Sequence, residues 1–113
     1  MSILVLKFGG TSVASVELIE SAAKIVKSEY EAGNNLVVVV SAMSGATNIL
    51  IDHVNKINHD DDAEYDVVVS SGEQVTAGLM SICLNKLGVP SRSWMGWQIP
   101  IITSDSHRNA VIK

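Results

Sequence analysis

Two short runs of apolar residues constrain this chain more than any other feature. The first is Ile3-Leu4-Val5-Leu6-Lys7-Phe8 and the second is Leu36-Val37-Val38-Val39-Val40. Runs of this length, rich in β-branched residues and bounded by Gly or Ser, read as strands buried on both faces, the pattern of a parallel sheet. Between them the period changes. Val13, Val16, Ile19, Ala22, Ala23 and Val26 recur at steps of three or four from about Ser12 onward, the stripe of an amphipathic helix. Glu17 and Glu20 come early in that stripe and Lys24 and Lys27 late, which suits the helix dipole, and Gly33 followed by Asn34-Asn35 is a stop. Two buried strands joined by one helix form a βαβ unit, so the chain reads as α/β with neighbouring parallel strands.

The rest of the chain extends the pattern less sharply. Thr47 or Asn48 is placed to cap a helix running to about Asn58, with Ile49, Leu50, Val54 and Ile57 on its apolar side. After the polar loop Asn58 to Asp62, a long helix is expected from about Glu64 to Leu87, closed by Gly88-Val89-Pro90. Its weak points are Val67-Val68-Val69, which favours a strand by propensity, and Gly72. From Ser91 to Lys113 short strands are expected around Trp94-Met95 and Ile99 to Thr103, with turns at Gly96 and Ser104-Asp105-Ser106. A length of 113 residues with 47% apolar content supports one core and not two. The formal charge of −4 and only 4% aromatic residues argue against nucleic acid as a partner. The single Cys83 excludes an intrachain disulfide and suits a reducing compartment. No uninterrupted apolar run reaches the roughly 18 residues of a membrane span, and no signal-peptide pattern is present, so a cytoplasmic chain is expected.

In open α/β sheets ligands bind at the carboxyl ends of the strands. Lys7-Phe8-Gly9-Gly10-Thr11-Ser12 ends the first strand and opens the first helix. Its glycines let backbone N–H groups approach a phosphate, and Lys7 adds a full positive charge. It is neither the Walker A loop nor GxGxxG, and it also reads as a plain tight turn with Lys7 snorkelling. Ser41 to Asn48 ends the second strand, with hydroxyls at Ser41, Ser44 and Thr47; its bland reading is a helix-capping loop. Neighbouring strands place these two loops side by side. Ser70-Ser71-Gly72-Glu73-Gln74 interrupts an apolar helix, and Glu73 either binds an ammonium group or faces solvent. His53, His59 and His107 lack the spacing of metal ligands, Asp60-Asp61-Asp62 reads as a solvated loop, and Cys83 as a small core residue. Trp94 and Trp97 either pack a core edge or form a partner surface.

Together, Lys7 to Ser12, the strand end Val38-Val39-Val40-Ser41-Ala42-Met43 and Ser71-Gly72-Glu73-Gln74-Val75 resemble the opening of an aspartate kinase, in that order and at that approximate spacing. Thr47, Asn48 and the stretch from Thr103 to Asn109 fit as well. The Lys-Gly-Gly opening is shared with the wider amino-acid kinase superfamily; Ser-Gly-Glu-Gln points to the aspartate branch. The resemblance implies a three-layer αβα sandwich with a mainly parallel sheet. Residues 1–113 would be the N-terminal portion of the catalytic domain, without the later nucleotide lobe and without ACT domains. It implies transfer of the γ-phosphoryl of ATP, with Mg2+, to the side-chain carboxylate of L-aspartate. Lys7 would be catalytic. Phe8, Gly9, Gly10, Thr11, Ser12 and Ser41 would join it around the phosphates, Thr47 and Glu73 would hold the aspartate, and no protein side chain would be a metal ligand. The glycine-rich segment with Arg and Asp that completes the family's substrate site is missing from these residues. The chain alone is therefore expected to be inactive and to work as a homo-oligomer or with a complementing C-terminal fragment. The alternatives are another carboxylate or carbamate kinase of the superfamily, or a non-catalytic assembly module.

Overall fold

A computed structural model describes residues 2–113. Strand β1 (Ile3–Phe8) and strand β2 (Asn35–Val40) pair in parallel, with Leu4 opposite Leu36, Leu6 opposite Val38 and Phe8 opposite Val40. Helix α1 (Val16–Glu31) joins them, giving the expected βαβ unit. It begins later than the apolar stripe suggests. Gly10–Val13 forms a 3-10 turn, and the α-helix starts after Ser15, whose side chain accepts a hydrogen bond from the Leu18 N–H at 3.2 Å. Of its charged residues only Glu17 lies in the first turn, and no basic residue lies in the last.

Helix α2 (Ala46–Ile57) and helix α3 (Asp62–Lys86) follow. Neither Thr47 nor Asn48 caps α2; Gly45 occupies that position, which puts Thr47 inside the first turn. Asp61 caps α3, accepting from the Glu64 N–H at 3.2 Å. The Val67–Val69 run is helical although Val67 is exposed; it continues without a break from the Asp61 cap into the part of α3 that is buried from Gly72 onward, and this longer context outweighs the local β-propensity. By length and composition alone α3 is apolar enough to cross a membrane, which a search for uninterrupted apolar runs does not reveal. Its Ser, Thr and Gly positions break the run while lowering the mean hydropathy only slightly.

The core lies on one face of the sheet. Ile19, Ala22, Ala23 and Val26 of α1 and Met80 and Leu84 of α3 close over Leu6, Phe8, Leu36, Val38 and Val40, with Val13 and Val89 at its ends. Cys83 packs against this cluster, as expected of a small core residue. The other face is bare. Ile3, Val5, Val37 and Val39 point outward and are between 42% and 74% exposed. The two strands are therefore buried on one face, not both. Of the three layers of an αβα sandwich, the described residues build the sheet and one helical layer. The overall dimensions of 48 × 32 × 17 Å agree, since the shortest leaves room for a sheet and one layer of helices about 10 Å across.

After Gly88 regular structure thins out. The expected strands around Trp94-Met95 and Ile99 to Thr103 are not formed. This segment carries a 3-10 turn at Gly96–Gln98 and an isolated antiparallel bridge between Thr103 and Ile112. A short apolar stretch becomes a strand only where a partner strand takes its backbone hydrogen bonds, and no sheet edge pairs with these residues.

Candidate functional site

The three segments singled out in the sequence meet at one small residue, Ala42, which is 5% exposed. On one side lies Gly10. A Cβ on Gly10 would stand 3.1 Å from the Ala42 carbonyl oxygen and 3.8 Å from the Ser44 nitrogen. On the other side lies Gly72, where a Cβ would stand 3.0 Å from the Ala42 methyl and 3.6 Å from Leu50 Cδ1. Both glycines are thus present because backbone and methyl groups approach where a side chain has no room. The local inconsistency that Gly72 introduces into α3 is the contact that seats α3 on the end of β2. Thr76, fully buried one turn later, donates its hydroxyl to the Gly72 carbonyl at 3.3 Å, so the helix there carries a buried polar group that is satisfied.

Around this corner the backbone is tied by short bonds. The Ser41 N–H donates to the Phe8 carbonyl at 3.2 Å and continues the strand pairing past its end. The Ser12 N–H donates to the Gly9 carbonyl at 3.0 Å, closing the 3-10 turn, and buried Val13 anchors that turn in the core. The Ala46 N–H donates to the Met43 carbonyl at 2.9 Å and leads into α2. The side-by-side placement of the two strand-end loops, expected from strand adjacency, is what the structure has. Behind the corner an apolar notch of ≈ 250 Å³ opens between α2 and α3, bounded by Met43, Leu50 and Val75.

The polar residues of the three segments are left open. Thr11 and Ser12 are exposed, Ser41 and Thr47 half-buried, and their hydroxyls have no protein partner among the described residues. Lys7 lies on the bare face of the sheet, opposite Val39 in the register. Glu73 is exposed on α3 and lines a groove of ≈ 970 Å³ shared with β2, including Val39, and with the segment from Val89 to Ile99. Neither Lys7 nor Glu73 makes an ion pair or side-chain hydrogen bond among the described residues. The structure therefore gathers the loops of the three segments at Ala42, but leaves the Lys7 cation and the Glu73 carboxylate unpaired. No group of three or more His, Cys, Asp or Glu side chains among the described residues is arranged to hold a metal ion.

One cluster was not anticipated. At the N-terminal end of α3, Asp66 contacts His107 Nδ1 at 2.9 Å and accepts the Arg108 backbone N–H on both carboxylate oxygens at 3.2 Å. The Arg108 guanidinium donates to Asp62 at 3.1 Å and sits 4.1 Å from the centre of the Tyr65 ring. The hydrogen bond with Asp62, the first of several contributions, pushes the Arg108 pKa further above its ordinary value, so the guanidinium stays charged throughout any working pH range. The sequence holds no local signal for this cluster, because its partners are more than 40 positions apart.

Residues 2–112 match the amino acid kinase family. The chain belongs to that family. It is 52% identical to the aspartate kinase of Pseudomonas fluorescens (strain SBW25) over 99% of its own length and 28% of that protein. It is 42% identical to the aspartokinase of Rickettsia felis over 100% of its length and 29% of that protein. Its fold superposes on the crystal structure of aspartate kinase from Synechocystis with a TM-score of 0.77 at 42% identity, covering 81% of this chain and 16% of that one. The chain thus spans less than a third of the length of these relatives.

Proposed function

We propose that this chain forms the N-terminal portion of the catalytic domain of an aspartate kinase, carrying the phosphate-facing corner and one side of the amino-acid site. The observation that carries the proposal is the meeting of Gly10, Ala42 and Gly72, which brings the Lys-Phe-Gly-Gly-Thr-Ser loop, the second strand end and the Ser-Gly-Glu-Gln turn of α3 to one place. The aspartate kinases at 42–52% identity over the chain support the substrate pair.

In this reading the side-chain carboxylate oxygen of L-aspartate attacks the γ-phosphorus of ATP. The bond from that phosphorus to the bridging oxygen breaks, and ADP leaves with the electron pair. Phosphoryl transfer needs positioning and charge neutralisation from the protein rather than covalent chemistry. Lys7 offsets the charge gathering on the transferring phosphoryl oxygens. Phe8 and Gly9 to Ser12 offer backbone N–H groups and hydroxyls to phosphate, and Ser41 stands at the neighbouring strand end. Thr47 and Glu73 take the aspartate, Glu73 through the α-ammonium. Magnesium enters as the counter-ion carried by ATP. The remaining nucleotide and substrate contacts come from chain beyond these 113 residues. The setting is a reducing, cytoplasmic one, as lone Cys83 suits.

The test is complementation. The chain is assayed for aspartate-dependent ADP release alone and then co-expressed with residues of the Pseudomonas fluorescens enzyme that follow the matched region. The expected result is no turnover alone and aspartate-dependent turnover in the pair. Turnover by the chain alone refutes the division of the site between two segments. A soluble pair that binds neither ATP nor aspartate refutes the kinase reading. Turnover with another carboxylate in preference to aspartate moves the substrate elsewhere in the superfamily.

A further inference from the structure

The Asp66 cluster has no role in the reading above, yet its position on α3 ties it to Glu73. Asp62, Asp66 and Glu73 are spaced by four and seven residues and share one face of the helix, with Asp66 and Glu73 two turns, about 10 Å, apart. The C-terminal segment runs along this same face. Ile99 lines the groove together with Ser70, Glu73 and Gln74, and nine residues later Arg108 is fixed to Asp62 and Asp66. On either side of Arg108 the segment is held to itself by the Thr103–Ile112 bridge and by the Val111 N–H donating to Ser104 Oγ at 3.1 Å.

Arg108 adds an independent observation. Its φ of 63° lies in the left-handed region, which side chains other than glycine rarely adopt. Such a conformation persists where surrounding contacts over-determine it, and it clusters at clamps and binding sites. Here the contacts are the two-pronged acceptance of its N–H by Asp66, the ion pair with Asp62 and the stacking on Tyr65.

We infer that Asp66 is a positioning residue: by clamping His107 and Arg108 it holds residues 99–108 along the Glu73 face of α3, making that segment the outer wall of the aspartate site. The inference rests on the proposed aspartate kinase reading and adds to it a determinant of amino-acid affinity that touches neither substrate nor phosphate.

The experiment has two readouts. In the 113-residue chain, hydrogen exchange followed by mass spectrometry compares the unaltered protein with Asp66→Ala and Asp66→Asn. Asp66→Ala is expected to lose protection in residues 99–112 while β1, α1 and β2 keep theirs, and Asp66→Asn, which retains an acceptor for the Arg108 N–H, to restore most of it. In the complemented enzyme, Asp66→Ala is expected to raise the KM for aspartate by about 5- to 10-fold with kcat and the KM for ATP within about twofold, the signature of lost binding and not of lost chemistry. Asp66→Asn again restores it. Unchanged exchange in residues 99–112, or an unchanged aspartate KM in an enzyme whose segment has loosened, overturns the inference and leaves the kinase reading standing. Equal losses in kcat and in both KM values overturn it as well, since that is general damage. Failure of the unaltered pair to use aspartate overturns both.

Discussion

Two regions of this molecule use their apolar residues in opposite ways. At the Gly10–Ala42–Gly72 corner, three segments distant in sequence approach to van der Waals contact, with Ala42 and Gly72 both buried. From Ser91 onward, the chain still carries many apolar residues, but Trp94, Trp97, Ile99, Ile101, Ile102, Val111 and Ile112 are all exposed. The corner is close-packed because its residues are small. The C-terminal segment is held mainly by polar ties: Ser91 to Asn85 at 2.9 Å, Met95 to the Gln98 side chain at 2.8 Å, and the Asp66 clamp. The difference separates order from burial. A segment can be held in place by a few hydrogen bonds while its hydrophobic surface stays uncovered, and that surface is then free to meet other chain.

This contrast can be tested by substitution. The largest effect is expected from Lys7→Ala in the complemented enzyme. It should reduce turnover by about 10²- to 10³-fold, the usual cost of removing one charge-stabilising group, with the Tm unchanged because Lys7 is exposed and unpaired. A parallel fall in Tm would make Lys7 structural. Next is Gly72→Val, which forces a branched side chain against the Ala42 methyl and Leu50. Urea unfolding should show a loss of about 2–3 kcal/mol, and a neutral result would mean that α3 seats elsewhere. Gly45→Ala should cost about 1 kcal/mol, since Gly45 enters α2 at φ 83°, where a Cβ is strained even though space is open around it. Smallest is Trp97→Ser in the exposed segment. A ring 74% exposed leaves stability within about 0.5 kcal/mol, but it should reduce concentration-dependent association in sedimentation velocity. A large loss of stability there would erase the distinction between the two regions.

Much of the fold is legible from local pattern. The βαβ unit and the first two helices follow from periodicity, the third helix from an apolar stretch with no turn signal before Gly88, and the parallel pairing from two apolar runs around one amphipathic helix. Failures came where the outcome depends on a partner distant in sequence. The strands are covered on one face only, although Ile3, Val5, Val37 and Val39 read as buried on both. Trp94-Met95 and Ile99 to Thr103 read as short strands but pair with no sheet. Thr47 has the chemistry of a cap, yet Gly45 takes the position because its left-handed backbone turns the loop into α2.

The candidate site divides in the same way. Lys7, Gly9, Gly10, Ser41, Thr47 and Glu73 are visible in the sequence because unusual residues stand at strand ends and inside an apolar helix. Ala42, Asp66 and Arg108 carry no such signature. Sequence by itself determined the elements from β1 to α3, their order and the chemistry available at the ends of the strands, because backbone propensity and hydrophobic period act over a few residues. Only the tertiary structure decided that two glycines 62 positions apart close on one alanine, that one face of the sheet stays bare, and that Arg108 is pinned to α3. Those outcomes depend on which surfaces meet, and contact between distant segments is set by packing rather than by any residue's own preference.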